Sequence, residues 1–275
     1  MSRPFLKMNG AGNDFVVVEA RRQPFAPQPA QVRAIADRAG PSGCDQLIAI
    51  EPSAKADAFM RIWNNSGGQV DACGNATRCV GWLLLQEGHK DQATIETNAG
   101  MIGVERAGPE RVRVDMGQPK LQWFEIPLAQ PMDTLSLDLS AEPDLAMPGA
   151  VNMGNPHVVF FVADVEAMPL AEIGPRLEFH PLFPEQVNVG FAEIKSRDRI
   201  RLRVWERGAG LTKACGTGAC AALVAASRRG LVGRHATVEM DGGELLIEWR
   251  ESDGHVLMTG PVQFEFTGVQ DMAGA

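Results

Sequence analysis

Residues 61–75 and 203–217 of this chain are two copies of one pattern. Arg61-Ile62-Trp63 and Arg203-Val204-Trp205 stand 142 positions apart, and so do Ala72-Cys73-Gly74 and Ala214-Cys215-Gly216. The register reaches well beyond this stretch. Gly12-Asn13 returns as Gly154-Asn155, each pair running into an apolar strand (Phe15 to Val18; Val158 to Val162), and Gln46 falls on Asn188. Downstream the offset slips by one residue, as at a loop insertion: Ala93-Thr94-Ile95-Glu96 answers Ala236-Thr237-Val238-Glu239, Gly100 answers Gly243 and Gly117 answers Gly260. A period this long means two copies of one domain. At 275 residues the chain is long enough for each copy to bury its own core.

Within each copy the pattern reads as an α/β unit, mostly β with one long central helix and a smaller one. In the first, residues 5–20 are two strands about the Gly10-Ala11-Gly12-Asn13-Asp14 turn, and 29–39 suit a short helix stopped by Gly40-Pro41-Ser42-Gly43. Strands at 46–50 and 58–63 precede the Cys73 loop and its helix, which Gly88 ends, and 93–97, 101–105 and 111–116 alternate like strands joined by glycine turns. The second repeats the plan, with strands at 157–162, 187–194 and 199–205, a helix near 164–173, the Cys215 helix, and strands at 236–240, 244–249 and 255–259. Prolines thicken between Pro119 and Pro148, where the chain is expected to cross between domains. Leu121-Gln122-Trp123 matches Phe264-Glu265-Phe266, so each tail is expected to reach into the opposite domain. The expected division is 1–118 with 264–275, against 119–263, with 271–275 frayed.

Cys73 and Cys215 each fall where a helix begins. For Cys215 the helix reading rests on Ala219 to Ala226, good helix formers closed by Arg228, Arg229 and Gly230. A thiol there meets unpaired backbone N–H groups and the positive end of the helix dipole, which favour thiolate. Two copies of a domain usually pack about a pseudo-twofold axis, which would bring the two cysteines face to face across a cleft. Such a pair suits a reaction in which a proton leaves one face of a carbon and returns to the other, with one sulfur as thiolate and the other as thiol. Backbone N–H groups of both helices can hold a carboxylate and the charge that builds on it when its α-carbon is deprotonated. The class implied is α-carbon racemisation or epimerisation without a cofactor.

Other classes fit less well. The net charge of −8 is spread over the chain rather than gathered in blocks, so neither nucleic acid nor an anionic membrane is an expected partner. Met1-Ser2-Arg3-Pro4-Phe5-Leu6-Lys7 lacks an apolar core with a cleavage site and no apolar run reaches membrane-spanning length, so a cytoplasmic protein is expected. Five cysteines without an export signal point to free thiols. The spacings of Cys73 to Cys79 and Cys215 to Cys220 are not those of zinc knuckles, and no metal site is expected. Cys44, Cys79 and Cys220 read as small buried hydrophobes.

Several motifs resemble the diaminopimelate epimerases. They are Met8-Asn9-Gly10-Ala11-Gly12-Asn13-Asp14-Phe15, Ala72-Cys73-Gly74-Asn75-Ala76-Thr77-Arg78-Cys79, Gly154-Asn155-Pro156-His157, Val187-Asn188-Val189-Gly190-Phe191, and Glu206-Arg207-Gly208-Ala209-Gly210 followed by Ala214-Cys215-Gly216-Thr217-Gly218. The resemblance covers nearly the whole chain. It implies interconversion of LL- and meso-diaminopimelate without pyridoxal phosphate, on the way to lysine and peptidoglycan, by a cytoplasmic homodimer. It implies two similar α/β domains, each a curved sheet around a central helix, with the active site in the cleft between them. By the same resemblance Cys73 and Cys215 are the base and acid, exchanging roles with direction. Gly74, Asn75, Gly216 and Thr217 would hold the reacting carboxylate through backbone N–H groups. Asn13, Gln46, Asn64, Asn155, Asn188, Glu206 and Arg207 would line the rest of the substrate site, and His157 and Glu206 would tune the thiols.

Two features depart from the family pattern: Leu211-Thr212-Lys213 stands where many members carry Glu-Thr-Leu, and Ala76 replaces a common glycine. The alternatives are the proline racemase and hydroxyproline epimerase group, whose first cysteine tends to sit in Cys-Gly-His, and the phenazine-biosynthesis isomerases, which lack the cysteine pair. A dithiol redox protein is a reading of another class, without a Cys-x-x-Cys motif to recommend it.

Overall fold

Leu47 pairs with Trp63 in one half of the chain and Val189 with Trp205 in the other, the same register 142 residues on. The structure, a computed structural model, describes residues 2–139, 145 and 147–272. In chain order the elements are β1 (Ser2–Gly10), β2 (Asn13–Glu19), α1 (Pro29–Ala36), β3 (Gln46–Glu51), β4 (Ala58–Asn64), β5 (Gln69–Val70), α2 (Gly74–Glu87), β6 (Gln92–Thr97), β7 (Gly100–Gly108) and β8 (Arg111–Asp115). There follow β9 (Gly149–Asn152), β10 (Pro156–Phe161), α3 (Leu170–Glu178), β11 (Asn188–Ser196), β12 (Arg199–Glu206), β13 (Gly210–Thr212), α4 (Gly216–Arg228), β14 (His235–Met240), β15 (Gly243–Trp249), β16 (Val256–Pro261) and β17 (Gln263–Asp271). They form two compact units, Met1–Asp115 with Thr259–Ala275, and Met116–Met258.

In the first unit β2 runs parallel to β3, with Phe15 opposite Gln46, and α1 makes the crossover that a parallel pair needs. β3 and β4 are antiparallel, β4 runs parallel to β6, and β6 to β8 form a meander. α2 packs against β1, β2, β6, β7 and β8, so its buried stretch from Asn75 to Gly81 has strands on several sides. The C-terminal strand β17 belongs to this unit, pairing antiparallel with β1 from Asn9↔Gln263 to Ser2↔Asp271. Asp271 is therefore a paired strand residue and Met272 is buried in the core, so neither is frayed as expected; 273–275 lie outside the described residues. The chain rejoins the unit at Thr259, ahead of the expected 264, because contacts with the unit begin there. Thr259 Oγ1 accepts Arg113 Nε at 3.4 Å, and Val262 N–H donates to Glu110 O at 2.8 Å.

The second unit has the same plan. β10 is parallel to β11 with His157 opposite Asn188, the equivalent of Phe15 opposite Gln46, and α3 makes the crossover. The later slip of one residue is also kept: Ala58↔Ile95 in one unit answers Ile200↔Val238 in the other. α4 packs against β9 to β12, β14 and β15, and Gly218 to Ala226 are all buried, which is why this helix carries alanine on nearly every side. It ends at Arg228 and Arg229, which donate to the carbonyls of Thr134 (3.3 Å) and Leu135 (2.9 Å), and at Gly230, whose φ of 69° turns the chain out of the helix. Trp123 packs on the core of this unit, and Lys120 bridges to Asn152. Part of the proline-rich stretch, 140–144 with Pro143 and residue 146, lies outside the described residues.

The second small helix starts at Leu170 rather than near 164, because Asp164 Oδ1 takes the N–H groups of Glu166 (2.9 Å) and Ala167 (3.4 Å) into a turn, and Pro169 disfavours helical backbone at Met168. No helix among the described residues is long and apolar enough to cross a membrane.

Candidate active site

Cys73 and Cys215 are the residues immediately before α2 and α4, with extended backbones of nearly equal dihedrals (φ −149°, ψ 111° and φ −133°, ψ 103°). Each carbonyl already accepts the first intrahelical bond, from Thr77 N–H and from Ala219 N–H, both at 2.9 Å. Gly74 and Asn75, like Gly216 and Thr217, therefore occupy the first two helical positions, whose N–H groups have no partner within their own helix. These donors and the helix dipole make each start a place for negative charge.

In the first unit the Cys73 thiol is half-buried, with Sγ 3.9 Å from Asn13 Oδ1. Asn13 donates from Nδ2 to Asp45 Oδ2 at 2.8 Å. Gln46 Nε2 donates to Asn64 Oδ1 at 2.8 Å, across the β3–β4 pair. Asn75 is buried and its Oδ1 accepts Arg78 Nη1 at 3.0 Å, so that oxygen is already in use within the helix. The structure thus brings Asn13 to Cys73 and Gln46 to Asn64.

In the second unit Cys215 is buried at 4% exposure. Its N–H donates to Met240 Sδ at 3.4 Å, and Sγ lies 3.6 Å from Thr217 Oγ1. Burial pushes the Cys215 thiol well above its ordinary pKa and the nearby Glu206 carboxylate adds to this, while the Thr217 hydroxyl and Gly218 N–H act the other way. The helix-start argument alone gives the opposite direction for this thiol; desolvation outweighs it. Burial likewise lifts Cys44 to about 11 and Cys79 to about 12. Glu206 accepts the Thr212 hydroxyl. His157 is buried, and desolvation, with the Arg207 charge second, pushes it down to about 3, so it is neutral at physiological pH. Its Nε2 lies 3.0 Å from Asn155 Oδ1, which places the ring proton on Nε2. Asn188 is buried with both ends of its amide in use, Nδ2 donating to Pro156 O at 2.8 Å and Oδ1 accepting Arg207 N–H at 3.0 Å. Arg207 is exposed and reaches Glu185 O at 2.9 Å.

Three residues beside these were missed from the sequence. Met240 takes the Cys215 N–H, and Asp45 holds Asn13. Glu178, buried at 4% exposure, accepts Trp205 Nε1 (2.7 Å) and Gly208 N–H (2.8 Å), fixing the turn that carries Glu206 and Arg207. Only Asp45 had a local signal, its place directly before Gln46.

Solved structures share this fold at low identity. A phenazine-biosynthesis protein of the PhzF family from Bacillus anthracis superposes with a TM-score of 0.70 at 16% identity, covering 98% of this chain and 99% of that one. A hydroxyproline epimerase from Agrobacterium vitis with bound trans-4-hydroxy-L-proline gives 0.67 at 16% identity, covering 98% and 91%. By its sequence relatives the chain is an amino-acid epimerase, an isomerase. The sequence matches the family described as diaminopimelate epimerase over residues 5–122 and 149–265. It is 68% identical over 271 residues to a diaminopimelate epimerase of Phenylobacterium zucineum, with 98% of both chains covered, and 58% identical over 272 residues to one of Acidiphilium cryptum, with 99% and 98% covered. The chain belongs to the diaminopimelate epimerase family.

Proposed function

We propose that this protein interconverts LL-2,6-diaminopimelate and meso-diaminopimelate by moving the α-proton between two thiols, without pyridoxal phosphate or another cofactor. One observation carries the reading: the residue leading each of the two equivalent helices is a cysteine, in a repeat whose other loop positions have diverged (Asn64 against Glu206, Asn75 against Thr217). One sulfur, as thiolate, takes the α-proton; an S–H bond forms, the C–H bond breaks, and its electron pair passes into the carboxylate. The other sulfur gives its proton to the opposite face and becomes thiolate. Because burial and Glu206 keep the proton on Cys215, that thiol is the acid and Cys73 the base in one direction, with the roles exchanged in the other.

The reacting carboxylate is held by the N–H groups of Gly74, Asn75, Gly216 and Thr217, where the charge built up in deprotonation is stabilised. Asn13, Gln46, Asn64 and Asn155 line the site. Glu206 and Arg207 read the distal ammonium and carboxylate, and Asn188 takes part through the backbone of Arg207, which it holds. His157, neutral, orients Asn155 and adds no positive charge near the thiols. The names of the relatives support the substrate, and the lysine and peptidoglycan precursor pathway follows from it. A cytoplasmic homodimer is what the family resemblance implies, and Phe264, Phe266 and Val269, exposed on β17, offer apolar surface for a second copy to cover.

Turnover in heavy water tests the mechanism. The donating thiol has exchanged with solvent while the abstracting thiol still holds the substrate's proton, so early product carries deuterium and recovered substrate little. Equal labelling of both isomers from the first turnovers, with Cys73→Ala or Cys215→Ala still active, would mean a single base. Turnover of proline or hydroxyproline in place of diaminopimelate would move the substrate to the related racemases.

A further inference from the structure

Beside Cys73 lies a group of charges that the proposed reaction does not use. Lys7, buried at 6% exposure, pairs with Asp14 and also donates to Ser42 O at 3.2 Å. Arg38 holds Asp14 through two bonds of 2.7 Å and pairs with Asp45 through Nη2. Asp14 and Asp45 are tied to one another: Asp14 N–H donates to Asp45 Oδ2 at 3.0 Å, and Asp45 N–H donates to Asp14 Oδ1 at 3.1 Å. Two carboxylates and two cations balance, and the Asp14 carboxyl lies well below the usual carboxylate range, its burial opposed by bonds from Arg38 and Lys7. Asp14 and Arg38 hold Asp45, which in turn holds the reacting thiol's neighbour: Asp45 Oδ2 takes Asn13 Nδ2 at 2.8 Å.

An ionised carboxylate can only accept, so the end of the Asn13 amide that meets Asp45 must be its NH₂. The other end, Oδ1, is then the one 3.9 Å from Cys73 Sγ, where it can accept S–H but offers nothing to a thiolate. We propose that Asp45, clamped by Arg38 and Asp14, is a positioning residue that locks the Asn13 amide with its oxygen toward Cys73, and so makes Cys73 the stronger base. A partner that accepts from the thiol stabilises the conjugate acid formed when Cys73 takes the substrate's proton. Without Asp45 the amide is free to turn, and its NH₂ can then favour the thiolate instead. No equivalent of this lock exists in the other repeat, where Val187 stands at the position of Asp45.

The inference rests on Cys73 being a reacting thiol, and Cys73→Ala tests that separately through epimerisation. The lock itself is read by the rate at which iodoacetamide labels Cys73 at pH 7, followed by peptide mass. Loss of an accepting partner raises the thiolate fraction more than it lowers thiolate nucleophilicity, so Asp45→Ala and Asn13→Ala should each label about threefold faster than wild type. The double variant should label no faster than either single one, because both act through one amide. Asp45→Asn, which keeps an oxygen for Asn13 Nδ2, should label near the wild-type rate. If Asp45→Ala does not fold, Arg38→Ala at an exposed guanidinium loosens the same carboxylate and should also label faster. Cys44, Cys79 and Cys220, all buried, must stay unlabelled throughout. A wild-type rate in Asp45→Ala, effects that multiply in the double variant, or labelling of the buried cysteines alongside Cys73 would each overturn the proposal.

Discussion

Asn188 Oδ1 accepts the backbone N–H of Arg207 at 3.0 Å, and the same amide donates to Pro156 O at 2.8 Å. A side chain expected to meet substrate is thus spent inside the fold, holding the residue proposed to read the substrate's far end. Asn188→Ala takes a partner from the buried Pro156 carbonyl and from the part-buried Arg207 N–H, at about 1–3 kcal/mol each. We expect a fall in stability of about 3 kcal/mol by urea denaturation together with a raised KM for diaminopimelate. A raised KM at unchanged stability would make Asn188 a direct ligand instead.

Gly218 is bare because Cys215 needs the room. A Cβ built there would lie 3.1 Å from both Cys215 Sγ and Val204 Cγ2. Overpacking costs about 1–3 kcal/mol, but replacing a helical glycine by alanine returns up to about 1 kcal/mol. Gly218→Ala should therefore lower Tm only slightly while cutting kcat about tenfold, since the group that must move is the sulfur. A large drop in Tm with kcat intact would show that Val204 yields instead.

The repeat made much of this legible. A constant offset predicted that Gln46 and Asn188 are equivalent, and the strand registers agree residue for residue, including the later slip of one. Both catalytic candidates were visible because glycine and helix formers follow each cysteine. What the sequence hid depends on long-range packing. Asp45 meets Asn13 across 32 positions, announced only by its place before Gln46, and Glu178 meets Gly208 across 30 with no local pattern at all. The direction of the Cys215 shift was likewise out of reach, since it turns on how completely the fold buries that sulfur. The short strands β5 and β13 have two and three residues, too few for any periodicity to show.

Glu206 and Cys215 form a second test. The Glu206 charge raises the Cys215 thiol, so Glu206→Gln should lower its pKa and move the pH profile of Cys215 alkylation toward acid. Epimerisation should fall at the same time, because a thiol that gives up its proton more readily at rest is less often present as the acid. An alkylation profile that stays in place would leave burial alone responsible for the shift.

His157 gives stability a pH dependence of defined sign. Its pKa is about 3 when folded against 6.5 as the ordinary value, so below pH 6.5 the unfolded chain takes up a proton that the folded chain refuses. The stability from burying it neutral is fully present above pH 6.5 and is lost as pH falls toward about 3. The carboxylates held low, such as Asp14 and Glu19, start from ordinary values of 3.8 and 4.5 and weaken the fold only at lower pH, which leaves pH 5 to 6.5 as the histidine's window. Across it the His157 contribution should fall by about 2 kcal/mol. Urea denaturation of wild type and His157→Gln at both ends of that window checks this. The wild type should lose more stability than the variant by that amount, and equal losses would mean that His157 accepts its proton in the folded protein.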